Sequence, residues 1–131
     1  MTFRQINPED VAEPMGKIYS HGVIVPPGAE LLFTAGQVAV RKDGTIPADF
    51  TDQAKQVWDN LFAILRDANM AVTDIVRMNA FVVGKENFPK YAEVRKSYIG
   101  THRPASTAYF VPALVRPEML IEVEIIAAKK R

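Results

Sequence analysis

The sequence predicts an α+β protein built on a mixed β-sheet that carries two helices on one face. Apolar side chains alternate with period two in some segments and recur every three or four residues in others, in the order strand, strand, helix, strand, helix, strand, strand. Because strand–helix–strand connections are right-handed, both helices fall on the same side of the sheet, and two helices cover one face only. The chain has 131 residues, 48% of them apolar, which is enough for one core and too little for two. Residues 1–131 are therefore predicted to form a single domain.

Two strands and a tight reversal are predicted near the start of the chain. Residues 17–25 and 31–40 are rich in Val, Ile, Leu, Phe and Tyr, which favour extended backbone. The Pro-Pro-Gly sequence at residues 26–28 imposes a turn between them. This pattern predicts a β-hairpin, and a second turn at residues 42–44 ends its second strand.

The first helix is marked by apolar residues spaced three and four apart, as in an amphipathic helix. The stripe consists of Ala54, Val57, Trp58, Leu61, Leu65 and Ala68. Asp49 or Thr51 precedes it as a candidate N-cap, and Asn69 follows it with a short polar side chain that tolerates a left-handed turn. A helix is therefore predicted between these residues.

A strand, a second helix and two more strands are predicted in the second half of the chain. Residues 75–83 return to period two. Asn87 caps the helix that follows, and Gly100 ends it. The apolar stripe of this helix consists of Phe88, Tyr91, Val94 and Tyr98. Strands at residues 107–111 and 120–127 complete the sheet.

The two longest strands leave one mixed face of the predicted sheet without a helix. Toward the helices, the first of them places Val76, Met78, Ala80 and Val82. The opposite face carries Ile75, Arg77, Asn79, Phe81 and Val83 from that strand and Leu120, Glu122, Glu124 and Ile126 from the last one. An uncovered apolar patch of this kind usually marks a protein contact. We therefore expect a homo-oligomer in which these faces pack together.

Charge and composition exclude several classes of function. The 16 Lys and Arg residues against 15 Asp and Glu give a net charge of +1, which leaves no excess charge to attract nucleic acid. The absence of cysteine excludes thiolate catalysis and disulfides, and it suits a reducing compartment. No stretch reaches the roughly 20 apolar residues of a membrane span. We expect a soluble, cytoplasmic protein with neither nucleic acid nor a membrane as partner.

Standard cofactor and metal motifs are missing from the sequence. The seven glycines form neither a dinucleotide fingerprint nor a phosphate loop, which argues against a nucleotide cofactor. The two histidines, His21 and His102, are far apart and lack carboxylates at metal-ligand spacing, so no metal site is predicted. None of Ser20, Ser97 and Ser106 lies in a Gly-x-Ser-x-Gly turn, which argues against a serine triad.

Glu122 and Glu124 are the residues best placed for chemistry, because both lie on the face expected at a subunit contact. An enclosed carboxylate needs a cation, hydrogen bonds or water, and one that meets only water becomes suited to act as a general base. Arg77 on the matching face could be the cation for one of them. From spacing alone, interfacial ion pairs are favoured over catalysis. Tyr19 is equally open, as a packed ring or as a ligand contact.

The order of short motifs along the chain resembles the Rid family, also called the YjgF or L-PSP endoribonuclease family. The motifs are Tyr19-Ser20-His21-Gly22-Val23, Thr34-Ala35-Gly36-Gln37-Val38, Gly44 with Pro47-Ala48-Asp49, Gln53, Asn60-Leu61, Asp74-Ile75-Val76, Phe81-Val82, Phe88-Pro89, Arg103-Pro104-Ala105 and Ile121-Glu122-Val123-Glu124. Each is weak alone, but their succession from about Tyr19 to the C-terminus is specific.

The resemblance implies a chorismate mutase-like fold and a homotrimer whose sheets line a central barrel, with a cleft between each pair of subunits. It also implies an enzyme that hydrolyses reactive enamines and imines, such as 2-aminoacrylate, to a 2-keto acid and ammonia. No cofactor is implied. The small-molecule substrate would lie in the cleft between subunits.

The residues of the implied cleft are only partly present. Tyr19 matches the cleft tyrosine, Gly36 the glycine beside the cleft, and Glu122 the glutamate that positions or activates water. The family serine is replaced by Ala35, and the family arginine that binds the substrate carboxylate is replaced by Ser106.

The lost arginine indicates another Rid subgroup, with a different or unknown substrate. A family thiol falls at Ala108, whereas Ser106 and Thr107 still offer hydroxyl or backbone groups to a polar ligand. Arg103 is three residues away, about 10 Å along a strand and on the opposite face, which argues against direct replacement. The leading hypothesis is an imine or enamine hydrolase, and the alternative is a protein that binds a metabolite in the same cleft without catalysis. Near-neutral charge argues against a third hypothesis, ribonuclease activity.

Overall fold

The computed structural model describes residues 3–131, and Met1 and Thr2 lie outside the described part. Its strands are β1 (Arg4–Ile6), β2 (Gly22–Ile24), β3 (Glu30–Phe33), β4 (Gln37–Val38), β5 (Ile75–Val82), β6 (Ala105–Phe110) and β7 (Ile121–Lys129). Its α-helices are α1 (Phe50–Asp67) and α2 (Phe88–Ile99). Short 3-10 turns occupy Met15–Lys17, Val72–Asp74 and Lys85–Asn87.

The main sheet has five strands and is mixed, as the sequence predicts. Its order is β3-β7-β5-β6, and β4 pairs with β7 next to the end of β3. β5 and β6 run parallel, whereas β7 is antiparallel to β3, β4 and β5. The long strand β7 is therefore central to the sheet and is held by three different strands.

Both helices pack on one face of this sheet, which confirms the predicted α+β layering. Buried side chains from α1, α2, β5 and β7 form one core, whose largest fully buried members are Trp58, Leu61, Leu65, Ile75, Met78, Ile121 and Ile125. The Asp49 carboxylate caps α1 by accepting a hydrogen bond from the Asp52 N–H at 3.2 Å. Asn69 ends the helix with a φ of 57°. The predicted stripe, cap and end of this helix are therefore confirmed.

A bulge in β5 moves two residues to the faces opposite those predicted. The register with β7 shifts between Ile75 and Arg77. As a result Ile75 lies in the helix-side core, and Val76 packs with Phe3 and Ala128 in a second cluster. Leu120 lies before β7 and packs against the helix-side core, so its predicted place on the opposite face is also wrong.

The predicted hairpin is wrong, although a turn does separate its two segments. β2 pairs with β1, and β3 pairs with β7. Two prolines between β2 and β3 lack the N–H groups that a hairpin ladder would use, while β7 offers β3 a long partner. The predicted strand at 31–40 is also split into β3 and β4 around Thr34–Gly36.

The predicted stripe of helix α2 is confirmed at Tyr91 and Val94, whereas Arg95 and Ile99 are buried without having been predicted. Its buried residues are Tyr91, Val94, Arg95 and Ile99. Phe88 is 38% exposed, and Tyr98 is half-buried, where it stacks on Trp58 of α1. A charged side chain, Arg95, therefore occupies a position that an apolar stripe would fill. Within residues 3–131, no helix combines the length and apolarity needed to cross a membrane.

Candidate functional site

Glu122 lies on the sheet face that the helices leave uncovered. Its neighbours across the sheet are Val38 of β4 and Phe81 of β5. Its side chain is half-buried and lies directly over Gly36, where an added Cβ would come within 2.8 Å of the Glu122 Cδ atom. Only a residue without a side chain permits so close an approach. The two residues that the resemblance assigns to one site are therefore in contact.

The carboxylate of Glu122 has no hydrogen bond or ion pair to any side chain or backbone group within residues 3–131. The expected partner, Arg77, instead donates hydrogen bonds from one terminal nitrogen to Asn79 Oδ1 and Thr107 Oγ1, both at 2.8 Å. Asn79 Nδ2 lies 3.4 Å from Glu124 Oε1. The expectation that Arg77 pairs with one of the glutamates is therefore wrong within one chain, because neighbouring polar side chains satisfy its guanidinium.

Ser106 and Thr107 lie on opposite faces of β6. Thr107 pairs with Asn79 on the uncovered face, whereas Ser106 pairs with Met78, a member of the helix-side core. Because neighbouring side chains on a strand alternate, the two hydroxyl groups cannot contact the same small ligand from one chain. Ser106 thus belongs to the helix side of the sheet.

Tyr19 lies at the far edge of the sheet from Glu122. The next residue, Ser20, bridges to Ala105 at the start of β6. Strands β6 and β5 lie between the Tyr19 segment and β7, which carries Glu122, so about three strand spacings, roughly 14 Å, separate Tyr19 from Glu122. The Tyr19 hydroxyl accepts a hydrogen bond from the Met15 N–H at 3.3 Å. One chain therefore does not bring together the two residues matched to the family cleft.

The predicted site residues thus form two groups. Glu122 lies with Gly36 and the exposed Ala35 near the β4 edge of the sheet. Tyr19 and Ser106 lie near the opposite edge, at the start of β6. Thr107 lies on the uncovered face, bound to Arg77.

Two arginines that sequence reasoning did not assign to the site converge on the segment carrying Tyr19. Arg95 is only 4% exposed and donates a hydrogen bond to the Ile18 carbonyl at 2.8 Å. Arg103 donates from Nε and a terminal nitrogen to the Tyr19 carbonyl, at 3.1 and 3.0 Å. Neither has a carboxylate partner in the described part of the chain.

Burial shifts the ionisation of the pair formed by Arg95 and its helix neighbour Tyr91. Loss of solvent lowers the pKa of Arg95, and the Tyr91 side chain opposes that shift. Loss of solvent raises the pKa of Tyr91, and the Arg95 charge opposes it. A signal for this arginine was present in the sequence, since Arg95 follows Tyr91 by one helical turn and so falls on its apolar face.

The two histidines contact backbone carbonyls. His21 Nε2 lies 2.6 Å from the Ala12 carbonyl oxygen, and His102 Nε2 lies 2.7 Å from that of Ile75. Among residues 3–131, no group of three His, Asp or Glu side chains is arranged to hold a metal ion. The imidazoles thus contribute to the packing of loops.

Comparison with known proteins identifies the family. The family model described as endoribonuclease L-PSP matches residues 12–129. The chain belongs to the Rid family. It is 34% identical over 124 residues to a RutC family protein of Pyrococcus horikoshii, covering 93% of this chain and 94% of that one. It is also 33% identical over 104 residues to the 2-iminobutanoate/2-iminopropanoate deaminase of Escherichia coli K12, covering 76% and 80% of the two chains.

Solved structures of Rid proteins share the fold. The YyfB protein of Yersinia pestis, a Rid family member of unknown function, has a TM-score of 0.86 and 34% identity over 98% of this chain and all of its own. Escherichia coli TdcF with bound serine has a TM-score of 0.73 and 33% identity, covering 86% of this chain and 88% of that one. The family resemblance and the mixed sheet with two helices are therefore confirmed.

Proposed function

We propose that this Rid protein hydrolyses a reactive imine or enamine to a carbonyl compound and ammonia, in a cleft between subunits of a homotrimer. The observation that carries the proposal is the Glu122 carboxylate, which is half-buried against Gly36 and has no cation partner among residues 3–131. The deaminase name of an Escherichia coli relative supports the reaction class.

The chemistry requires little from the protein. The iminium carbon is already electrophilic, so the enzyme must orient the substrate, hold a water and accept a proton from it. In the proposed mechanism Glu122 takes that proton as the water oxygen bonds to the iminium carbon. The proton on Glu122 then returns to the amino group of the resulting amino alcohol, and ammonia leaves as the carbonyl forms. Glu122 takes the hydroxyl proton in this step and passes it to the departing ammonia. Water and iminium ion thus give a carbonyl compound and an ammonium ion, without a cofactor.

An assembly of subunits is needed because one chain separates Tyr19 from Glu122. Large side chains on the uncovered face are unusually exposed, with Phe33 at 65% and Tyr109 at 44%. Apolar exposure of this extent favours burial against another copy. In a closed ring, Tyr19 and Ser106 of one subunit would face Glu122, Gly36 and Ala35 of the next, with Thr107 beside the barrel.

The proposed activity is tested by generating 2-iminopropanoate and 2-iminobutanoate from the amino acids with an amino acid oxidase and following keto acid formation. Wild-type protein should accelerate hydrolysis, and Glu122→Gln should lose about 100-fold or more, the usual contribution of a general base. Glu124→Gln is the matched control, because it makes the same change two residues along the strand and should keep near wild-type activity. No acceleration of any imine, or full activity in Glu122→Gln, would contradict the mechanism.

Binding without turnover is a second candidate, and the serine at position 106 favours it. Ser106 cannot form the bidentate contact to a carboxylate that an arginine forms. A panel of small acids should then raise the melting temperature by ligand binding while no imine is consumed. Turnover of an imine that depends on Glu122 would exclude this candidate.

A further inference from the structure

Residues 7–15 form an exposed strap beside the segment that carries Tyr19. Residues 7–13 are exposed, and Pro14 is buried. In the described part of the chain, all hydrogen bonds from this strap to residues beyond Lys17 go to Tyr19 or His21. A cavity of about 470 Å³ is lined by the strap together with His21 and Arg103. Tethers to Tyr19 and His21, more than close packing, therefore set the position of the strap.

The ring of His21 links the strap to Tyr19. Its Nε2 lies 2.6 Å from the Ala12 carbonyl oxygen, and because a carbonyl only accepts, Nε2 must donate. The same ring meets the Tyr19 ring edge-on, with centroids 5.9 Å apart and planes at 86°. A second tether joins the His21 backbone N–H to Asn7 Oδ1 at 2.9 Å and does not depend on the ring. One imidazole thus fixes the strap against the Tyr19 side chain.

The Tyr19 hydroxyl is oriented by a backbone group of the strap. It accepts from the Met15 N–H at 3.3 Å and has no other hydrogen bond among residues 3–131. A hydroxyl carries one proton to donate besides its acceptor lone pairs, so the Tyr19 proton is left for a ligand. Met15 follows Ala12, which His21 holds, by three residues. A displaced strap would therefore change the direction in which Tyr19 donates.

The bond made by His21 differs from that of His102 in what it holds. His102 Nε2 lies 2.7 Å from the carbonyl oxygen of Ile75, a residue that β5 already pairs with Ala127 in the sheet. Ala12 lies outside every helix and strand of residues 3–131. Loss of the His21 ring should thus free a segment, whereas the sheet would still hold the partner of His102.

We propose that His21 is a positioning residue of the candidate site, whose ring holds the strap so that the Met15 N–H directs the Tyr19 hydroxyl toward a bound ligand. The inference rests on the proposed function for the reaction in which Tyr19 takes part. It adds to that function a residue and a segment outside the main sheet. His21 acts only through the strap and Tyr19, because Ala12 uses its Nε2 proton.

The first test is a double-mutant cycle on kcat/KM for 2-iminopropanoate hydrolysis, with the variants His21→Ala, Tyr19→Phe and the two combined. His21→Ala should lower kcat/KM at least fivefold in the wild-type background. In the Tyr19→Phe background it should lower kcat/KM less than twofold, because the hydroxyl that the strap orients is absent. Such coupling is expected only of residues that act together.

Two further variants complete the first test. His21→Gln keeps a side-chain N–H of similar reach and should stay within twofold of wild type. Glu9→Gln changes an exposed strap residue that makes none of these contacts, and it should also stay within twofold. An equal loss from His21→Ala in both backgrounds would show a general structural effect and would overturn the proposal. Full activity in His21→Ala would overturn it as well.

The second test does not require turnover. Hydrogen exchange of the Met15 amide, followed by NMR, reports its bond to the Tyr19 hydroxyl. Exchange should be at least fivefold faster in Tyr19→Phe than in wild type, and His21→Ala should match Tyr19→Phe within twofold. His21→Gln and Glu9→Gln should keep the wild-type rate. A wild-type rate in His21→Ala would show that the ring does not hold the strap.

The two tests separate this inference from the proposed function. Faster Met15 exchange in His21→Ala, together with no turnover of any imine by wild type, would uphold the positioning of Tyr19 and contradict the hydrolase. Turnover by wild type with unchanged kcat/KM in His21→Ala would uphold the hydrolase and contradict the role of His21.

Discussion

The contact between Gly36 and Glu122 fixes where the carboxylate can lie. A Cβ at residue 36 would come within 2.8 Å of Cδ and 3.1 Å of Cγ of Glu122, both closer than ordinary van der Waals contact. The conflict involves the end of a flexible side chain, so the carboxylate can rotate away without disturbing the backbone. A methyl group at position 36 should therefore change the site more than the fold.

Gly36→Ala is expected to lower kcat for imine hydrolysis about tenfold or more while the free energy of unfolding changes by less than about 1 kcal/mol, the scale of most surface substitutions. Steady-state kinetics and urea denaturation measure the two effects. Gly22→Ala is the control, because an added Cβ there meets only Ile6 Cβ at 3.6 Å. Wild-type kcat in Gly36→Ala would show that the position of the Glu122 carboxylate does not matter for the reaction.

Tyr98 contributes stability that the protein loses at alkaline pH. Its hydroxyl donates to Asp59 Oδ1 at 2.8 Å, and loss of solvent together with this carboxylate raises the pKa of Tyr98 to about 12, from 10.0. The folded state then holds the proton more tightly than the unfolded state. The resulting stability is fully present below pH 10 and is lost as the pH rises from 10 to about 12.

The difference in unfolding free energy between wild type and Tyr98→Phe should therefore shrink between pH 10 and 12. Below pH 10 the variant should be about 1 kcal/mol less stable, because it lacks the hydrogen bond to Asp59. Urea denaturation of both proteins from pH 7 to 11.5 measures the difference and cancels the titration of other groups. A difference that stays constant over this range would contradict the assigned pKa.

At the scale of elements, Gln53 joins the start of α1 to the loop before this helix and to the segment that leads into β7. Its side chain is 1% exposed, and its Nε2 donates to the carbonyls of Pro47 and Glu118, both at 2.8 Å. Its Oε1 accepts from the Leu120 N–H at 2.9 Å. The entry into β7, and with it the position of Glu122, therefore depends on one amide side chain.

Gln53→Ala should destabilise the protein by about 3 kcal/mol, because it leaves buried backbone groups without partners. Chemical denaturation measures this loss. Gln56→Ala is the matched control, since Gln56 is half-buried and bonds to Asn60 within the same helix, and should cost less than about 1 kcal/mol. Equal losses in the two variants would show that Gln53 does not have this joining role.

Local patterns predicted the elements well and their partners poorly. The stripe of α1, its Asp49 cap and its end at Asn69 are local signals, and each is confirmed. The pairing of β3 with β7 joins residues about 95 positions apart in sequence, and no local pattern encodes it. β1 was not predicted, since three residues in a polar segment carry too weak a pattern.

The candidate site was likewise predictable only in part from the sequence. Motif order predicted Glu122 and Gly36 as candidate site residues, and their contact was not visible until the fold placed β4 beside β7. Arg95 was overlooked because a charged residue on an apolar stripe is normally a solvated exception. Its burial is a consequence of how α2 meets the segment before β2, which depends on tertiary packing.

At the scale of the whole molecule, the uncovered sheet face is the proposed contact between subunits. Phe81 and Tyr109 stack on it, with ring centroids 5.0 Å apart, and Tyr109 is 44% exposed in the single chain. A charge placed here should be tolerated by the isolated fold and should oppose packing against another copy.

Tyr109→Glu is therefore expected to change a trimer of the 14.6 kDa chain into monomers and to abolish imine hydrolysis. Light scattering after size-exclusion chromatography measures the mass, and circular dichroism checks the fold. Val115→Glu is the control, since Val115 is 84% exposed outside the strands and should leave the mass unchanged. A folded, trimeric Tyr109→Glu protein would show that this face is not the contact.

The proposed site is completed by two subunits, with Tyr19 from one and Glu122 from the next. Mixing tests this directly: Tyr19→Ala and Glu122→Gln, each of low activity alone, are unfolded together, refolded at equal concentration and assayed for imine hydrolysis. If subunits combine at random in a trimer, each intersubunit site has a one in four chance of carrying both intact residues, so about a quarter of wild-type activity should return. Activity no higher than the mean of the two separate variants would contradict a shared site.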